Sequence, residues 1–336
     1  MESSSKMTIG VVGAGAWGTA LAKVAAECGP AVHLWAREAD VVQSIASANE
    51  NTLFLPGIDL PKTIRATNRL SDVAAADVII VAVPAQFLGS VVKELAPTAP
   101  LVIAAKGIET GTGRLMSEVV AKVAPRAPVT ILSGPSFAHE VGKGLPTALT
   151  LAATDKALAD RIAATLASPR LRLYISTDVV GAQVGGAVKN VLAIACGIAT
   201  GRRMGENGRA ALITRGMAEM TRLTIALGGT PETLLGLSGI GDVVLTCMST
   251  ASRNFTVGLA LGEGRTLAEA LAGKRSVAEG VTSAAAVVAR AKIAGVTMPI
   301  VEAVDAILNQ GADVDATIAE VLARPLGKDE VSARLT

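Results

Sequence analysis

The chain has 336 residues, 50% of them hydrophobic but only 2% aromatic, so it is long enough for two cores, built mainly from Ala, Val, Leu and Ile. Its 31 Lys and Arg against 29 Asp and Glu leave a formal charge of +2, which together with the scarcity of aromatic rings removes any general case for nucleic-acid binding. Cys28, Cys196 and Cys247 form no C-x-x-C pair, and His33 and His139 join no cluster with ligand spacing, so neither a disulfide framework nor a metal site is expected.

The first six residues form a polar tail without the apolar core of a secretory signal, and a reducing cytoplasm is the expected setting. Ile9 to Val12 then reads as a buried strand and Thr19 to Cys28 as a helix, with Gly13, Gly15 and Gly18 between them at G-x-G-x-x-G spacing. Gly13 permits the tight turn, Gly15 lets a pyrophosphate approach the backbone, and Gly18 lets helix and strand pack closely. The helix start offers unpaired N–H groups to the phosphates. The motif alone is not diagnostic; its place after a strand and before a helix makes it a dinucleotide site.

Val32 to Ala36 is a second strand, and it ends at Arg37, where an NAD-binding fingerprint usually carries an acid for the ribose 2′-OH. A guanidinium there can grip a 2′-phosphate, so NADP is favoured over NAD. Glu38 reads as the first turn of a helix reaching Asn49. After a loop at Asn51 to Pro61, further strands are predicted near Ile64 to Thr67 and over Val78 to Val83, Leu101 to Ala105 and Val129 to Leu132, alternating with helices at Gln86 to Leu95 and Arg114 to Val123. Thr147 to Leu151 and Leu171 to Ile175 are the last strands, around a helix at Lys156 to Leu166. This alternation predicts an α/β fold: a Rossmann-like, doubly wound, mainly parallel sheet over residues 1–180. Ligands in such sheets lie beyond the carboxyl ends of the strands, which singles out Gly13, Arg37, Lys106 and Gly134 to Ser136.

From Val179 onward, long Ala, Leu and Val segments with glycine breaks predict an all-helical domain over residues 181–336. Val73 to Val92 and Val179 to Thr200 have membrane-like hydropathy, but Asp77 and Pro84 interrupt the first, and Gln183, Lys189 and Asn190 the second. Buried segments without stable membrane insertion are the better reading. Lys189 stands alone in its apolar helix; loss of hydration there lowers an ammonium's pKa and makes it a candidate acid/base. Leu237 to Asp242 opens a second glycine-rich turn, and Thr246, Ser252, Arg253 and Asn254 after it can surround a phosphate. Gly134-Pro135-Ser136-Phe137-Ala138 nearly matches a nucleophile elbow, yet no histidine follows at a suitable distance, and no P-loop motif occurs.

With these residues together, the chain resembles the bacterial type of NAD(P)-dependent glycerol-3-phosphate dehydrogenase. The likeness rests on Gly13 to Thr19, Ala105 to Glu109, Ser133 to Ala138, Val188-Lys189-Asn190, Gly239 to Asp242, Ser252-Arg253-Asn254 and Val277-Ala278-Glu279-Gly280, in one order along most of the chain. It implies interconversion of sn-glycerol 3-phosphate and dihydroxyacetone phosphate, which supplies glycerol 3-phosphate for phospholipid synthesis. Lys189 would move the proton at the C2 oxygen, with Lys106 and Asp242 beside it; Lys106, Gly134, Ser136, Lys189, Asp242, Thr246, Ser252, Arg253 and Asn254 would hold the small phosphorylated substrate. Gly13, Gly15, Ala16, Trp17, Gly18, Arg37, Lys106, Ala138, Arg253, Val277 and Glu279 would line the cofactor site. Many family members have serine where this chain has Ala16, so one hydroxyl contact to the cofactor is absent here. Other readings are a two-domain reductase acting on a hydroxy or keto acid, such as ketopantoate reductase, and a nucleotide-sensing protein without turnover; a homodimer is left open.

Overall fold

The computed structural model describes residues 7–273 and 278–324, so the polar tail at 1–6 lies outside the described residues. Two compact units emerge: residues up to Ala105 with Met116–Val179, and Lys106–Leu115 with the residues from Val180 onward.

The first unit is built on one eight-stranded sheet. In chain order its elements are β1 (Thr8–Val12), α1 (Ala16–Glu27), β2 (Ala31–Trp35), α2 (Ala39–Ala48), β3 (Ile64–Thr67), α3 (Ser71–Ala74), β4 (Val78–Val81), α4 (Ala85–Leu95) and β5 (Leu101–Ile103). Then come α5 (Met116–Val123), β6 (Val129–Ser133), α6 (Ala138–Gly142), β7 (Thr147–Ala152), α7 (Lys156–Leu166) and β8 (Leu171–Ser176). The strand order β3-β2-β1-β4-β5-β6 is that of a dinucleotide-binding sheet, with β7 and β8 added beyond β6. All pairings are parallel except β6 with β7.

The central strands are near-continuous runs of Val and Ile because both their faces are covered: Val78, Ile79, Ile80 and Val81 of β4 are all buried. Val11 is registered between Leu34 and Ile80, so β1 lies in the middle of the sheet and projects its glycine turn from there. Three differences from the sequence reading are local. The helix after β1 begins at Ala16, not Thr19, because the turn is complete at Gly15. Glu38 is the residue capping α2 and not part of its first turn. Helices α3 and α6, of four and five residues, are too short to show a 3.6-residue periodicity.

The second unit contains the helices α8 (Val179–Gly201), α9 (Gly205–Ala226), α10 (Pro231–Leu234), a wide turn at Leu237–Gly241, α11 (Asp242–Cys247) and α12 (Arg253–Gly262). They are followed by α13 (Leu267–Leu271), α14 (Glu279–Ile293), α15 (Pro299–Asn309) and α16 (Val314–Leu322). Helix α8 is the axis of this core: it is buried from Gly181 to Ala199 on every side, which explains why its sequence has no polar stripe. Among the described residues it is the one helix long and apolar enough to cross a membrane, and it is buried within the protein. Helix α12 crosses it so closely that a Cβ on Gly258 would lie 2.0 Å from the carbonyl oxygen of Ile194. Lys106–Leu115, which chain order places with the sheet, joins this unit because Ile108 and Leu115 pair with each other and bury their side chains in the helical core.

Candidate active site

In the first unit the glycine turn is shaped for a ligand. Gly13 has φ +108°, a conformation that favours glycine, and a Cβ on Gly18 would meet the Gly13 carbonyl oxygen at 1.8 Å, so α1 can approach β1 only with glycine there. A Cβ on Gly15 would instead point into open space. The start of α1 has no side-chain cap and no acid in its first turn, and the buried indole Nε1 of Trp17 has no partner. Free N–H donors at a helix N-terminus fit a pyrophosphate. The turn is braced from below by Asn51, whose Nδ2 donates to the Ala14 carbonyl at 2.8 Å and to Thr19 Oγ1 at 2.8 Å. From sequence, Asn51 reads only as the start of a loop.

At the end of β2 the Arg37 side chain is 75% exposed and makes an ion pair with Glu38, Nη2 to Oε1 2.9 Å. Beyond β6, Gly134 has φ +137° and its carbonyl accepts from Ser136 Oγ at 3.1 Å, while Ala138 opens α6.

The second unit assembles the charged centre. Asp242, fully buried at the start of α11, accepts from Lys189 Nζ on Oδ1 and from Lys106 Nζ on Oδ2, each at 2.7 Å. The Thr246 hydroxyl donates to the Asp242 carbonyl at 2.6 Å and accepts from Lys189 Nζ at 3.1 Å. Burial pulls the Lys106 pKa down to about 8; the Asp242 carboxylate opposes this and the Lys189 charge adds to it. Burial also acts to raise Asp242, but its two ammonium neighbours outweigh that and hold the carboxyl below the usual range.

Around this centre lies an amide network. Asn254 Nδ2 donates to Asn190 Oδ1 at 3.0 Å, and Asn254 Oδ1 accepts the Gly280 N–H at 2.9 Å, so one side chain ties α8, α12 and α14 together. Asn190 Nδ2 lies 3.5 Å from Glu279 Oε2. Burial raises the Glu279 pKa against the charges of Arg253, Lys189 and Lys106. Ser252 caps α12, its Oγ accepting from Phe255 N at 3.3 Å, which puts Arg253 in the first turn of that helix with its side chain exposed. The neighbouring Cys196 thiol and burial push the Cys247 thiol up.

The second unit thus gathers Lys106, Lys189, Asp242, Thr246, Ser252, Arg253, Asn254 and Glu279, whereas Gly13, Gly15, Ala16, Trp17, Gly18, Arg37, Gly134, Ser136 and Ala138 belong to the first. Val277 lies outside the described residues.

Family models for the N-terminus and C-terminus of NAD-dependent glycerol-3-phosphate dehydrogenase match residues 8–159 and 178–319. The chain belongs to the NAD-dependent glycerol-3-phosphate dehydrogenase family. Among its relatives, glycerol-3-phosphate dehydrogenase [NAD(P)+] of Parvibaculum lavamentivorans is 54% identical over 321 residues, 94% of this chain and 96% of the relative. The protein of the same name from Caulobacter vibrioides is 55% identical over 322 residues, 95% of this chain and 97% of the relative. The crystal structure of glycerol-3-phosphate dehydrogenase from Coxiella burnetii superimposes with a TM-score of 0.91 at 38% identity, covering 95% of this chain and 99% of that one. As a member of this dehydrogenase family the chain carries two network residues that sequence reasoning gave no role, Asn190 and Gly280. Their signal in the sequence is membership of the Val188-Lys189-Asn190 and Val277-Ala278-Glu279-Gly280 motifs, which marks them without giving either a role.

Proposed function

We propose that this member of the family interconverts sn-glycerol 3-phosphate and dihydroxyacetone phosphate with NAD(P), and that it does so in the cytoplasm, supplying glycerol 3-phosphate for phospholipid synthesis. The observation that carries the chemistry is the single buried carboxylate of Asp242 holding the ammonium groups of Lys106 and Lys189 at 2.7 Å each. Bound nicotinamide supplies or accepts the hydride. Lys189 gives a proton to the C2 oxygen on reduction and takes it back on oxidation. Asp242 fixes the direction of both ammonium groups and balances their charge as the C2 oxygen becomes negative. Lys106 donates to the substrate oxygens.

The substrate phosphate is assigned to Arg253 and the start of α12, where the guanidinium and the helix N-terminus both favour an anion. Gly134 and Ser136 complete the substrate contacts. Gly13, Gly15, Ala16, Trp17 and Gly18 take the pyrophosphate side of the cofactor, and Ala138, Val277 and Glu279 the rest. Arg37 takes the 2′-phosphate, so NADP is preferred to NAD by a modest factor, since the guanidinium is exposed and shared with Glu38.

Absorbance at 340 nm, followed with NADPH or NADH and either dihydroxyacetone phosphate or ketopantoate, tests this reading. Turnover with dihydroxyacetone phosphate alone is expected. Turnover only with the keto acid, or binding of cofactor without turnover, would replace it.

A further inference from the structure

The Lys189–Asp242 contact joins two elements far apart in sequence, so something must set the distance between α8 and the turn that delivers Asp242. That turn is unusual. The Gly241 N–H bonds to the Gly236 carbonyl at 3.2 Å, five residues back, and Gly239 has the non-helical angles φ −107° and ψ −106°. Wide turns of this kind recur near functional sites because they re-aim the residues that follow. Ser238 is fully buried within it, and its hydroxyl has no partner.

The turn rests on Gly185. A Cβ at that position would lie 2.0 Å from the Ser238 carbonyl oxygen and 2.9 Å from its carbon, contacts that only backbone movement could relieve. Gly185 is four residues before Lys189, so both are on one face of α8, one turn apart. The face that receives the Ser238 backbone therefore also aims the ammonium at Asp242, four residues further along the turn.

We propose that Gly185 is a positioning residue: by letting the Ser238 backbone seat directly on α8, it sets the reach of the Asp242 carboxylate to Lys189 and Lys106. The proposal rests on the proton-transfer role given to this cluster above. An alanine at 185 displaces the turn outward, lengthens the carboxylate contacts, and leaves the ammonium groups less well balanced. The groups facing the cluster are Lys106, Lys189, Asp242, Glu279 and the Cys247 thiol, with Arg253 acting on Glu279. Asp242 is the carboxylate in direct contact with the ammonium groups, so its retreat moves the Lys106 titration to lower pH.

The test compares Gly185→Ala with Gly201→Ala. The second places a Cβ 2.7 Å from Gly262 on the same helix, but about 18 Å along the axis from Lys189. Competitive acetylation of Lys106 by acetic anhydride across pH, read by peptide mass spectrometry, gives its titration midpoint without needing turnover. Both variants should melt earlier than the wild type. Only Gly185→Ala should lower the Lys106 midpoint, by about half a pH unit or more, and shift the pH profile of kcat/KM in the same direction with kcat reduced more than KM is changed. An unmoved midpoint in folded Gly185→Ala, or an equal shift in Gly201→Ala, overturns the proposal. Should Gly185→Ala not fold, Ser238→Gly decides: it loosens the same seat by freeing the backbone at 238, and the side chain it removes is a Cβ carrying an unpartnered hydroxyl. A smaller shift to lower pH supports the proposal, and none overturns it. Failure of the catalytic reading shows separately, as absent wild-type turnover with the acetylation result intact.

Discussion

Replacing Lys106 by methionine should make the protein more stable and inactive at once. The Lys106 pKa falls from 10.5 to about 8 through burial, with the Asp242 attraction already included in that figure. At about 1.4 kcal/mol per tenfold, keeping this ammonium protonated in the fold costs on the order of 3 kcal/mol. Methionine keeps the stem and removes the charge, while Asp242 retains Lys189 at 2.7 Å and is not left unpaired. Allowing for imperfect packing, a gain of about 2 kcal/mol is expected at pH 7, or a rise of roughly 4 to 8 °C in Tm for a unit of this size. The sign with pH follows from proton binding. Between about pH 8 and 10.5 the unfolded chain holds a proton at Lys106 that the folded one has released, so wild-type stability at this position recovers as pH rises through that window. The advantage of Lys106→Met is thus full below pH 8 and fades towards pH 10.5. Thermal melts of both proteins at pH 7 and pH 10 check this; a variant less stable at pH 7, or a difference that does not shrink with pH, would refute the reasoning.

Arg253→Gln should weaken dihydroxyacetone phosphate by roughly tenfold or more while leaving unphosphorylated dihydroxyacetone little changed, measured as kcat/KM for each; equal losses would place Arg253 elsewhere. Arg37→Ala should lower the ratio of kcat/KM for NADPH to that for NADH by a few-fold to about tenfold, and an unchanged ratio removes Arg37 from the 2′-phosphate. Glu219, buried in α9, accepts the N–H groups of Ile300 and Val301 at the start of α15, and burial pushes its pKa up to about 7. Its folded form holds a proton that the unfolded chain loses above about pH 4.5, so stability here falls as pH rises to about 7. Glu219→Gln should therefore stabilise by roughly 2 kcal/mol at pH 8 and by nothing near pH 4.5, as urea titrations at the two pH values would register.

The sheet was legible because its strands are short runs of β-branched residues ended by glycine, proline or charge, and the order of those runs alone implies a parallel core. The antiparallel β7 was not, since strand direction leaves no mark on composition. Lys189 could be singled out because one charge in an apolar helix has few explanations. Its partner could not be derived from spacing, because Asp242 lies 53 residues away and is brought to it by a wide turn whose geometry depends on Gly185 and Gly239. Lys106 shows the same limit. It reads as the end of a strand, yet its segment is held in the helical core by Ile108 and Leu115. Asn51 and Asn190 act through side-chain bonds to distant backbone and amide groups, for which a single sequence carries no period.

The proposed mechanism requires Lys189 as the group that moves the proton. Lys189→Met keeps the stem within α8 and removes the titrating ammonium, so kcat for dihydroxyacetone phosphate reduction, followed at 340 nm, should fall by roughly 10²- to 10⁴-fold. NADPH affinity, measured by fluorescence titration, should barely change. Turnover near the wild-type rate in this variant would contradict the mechanism.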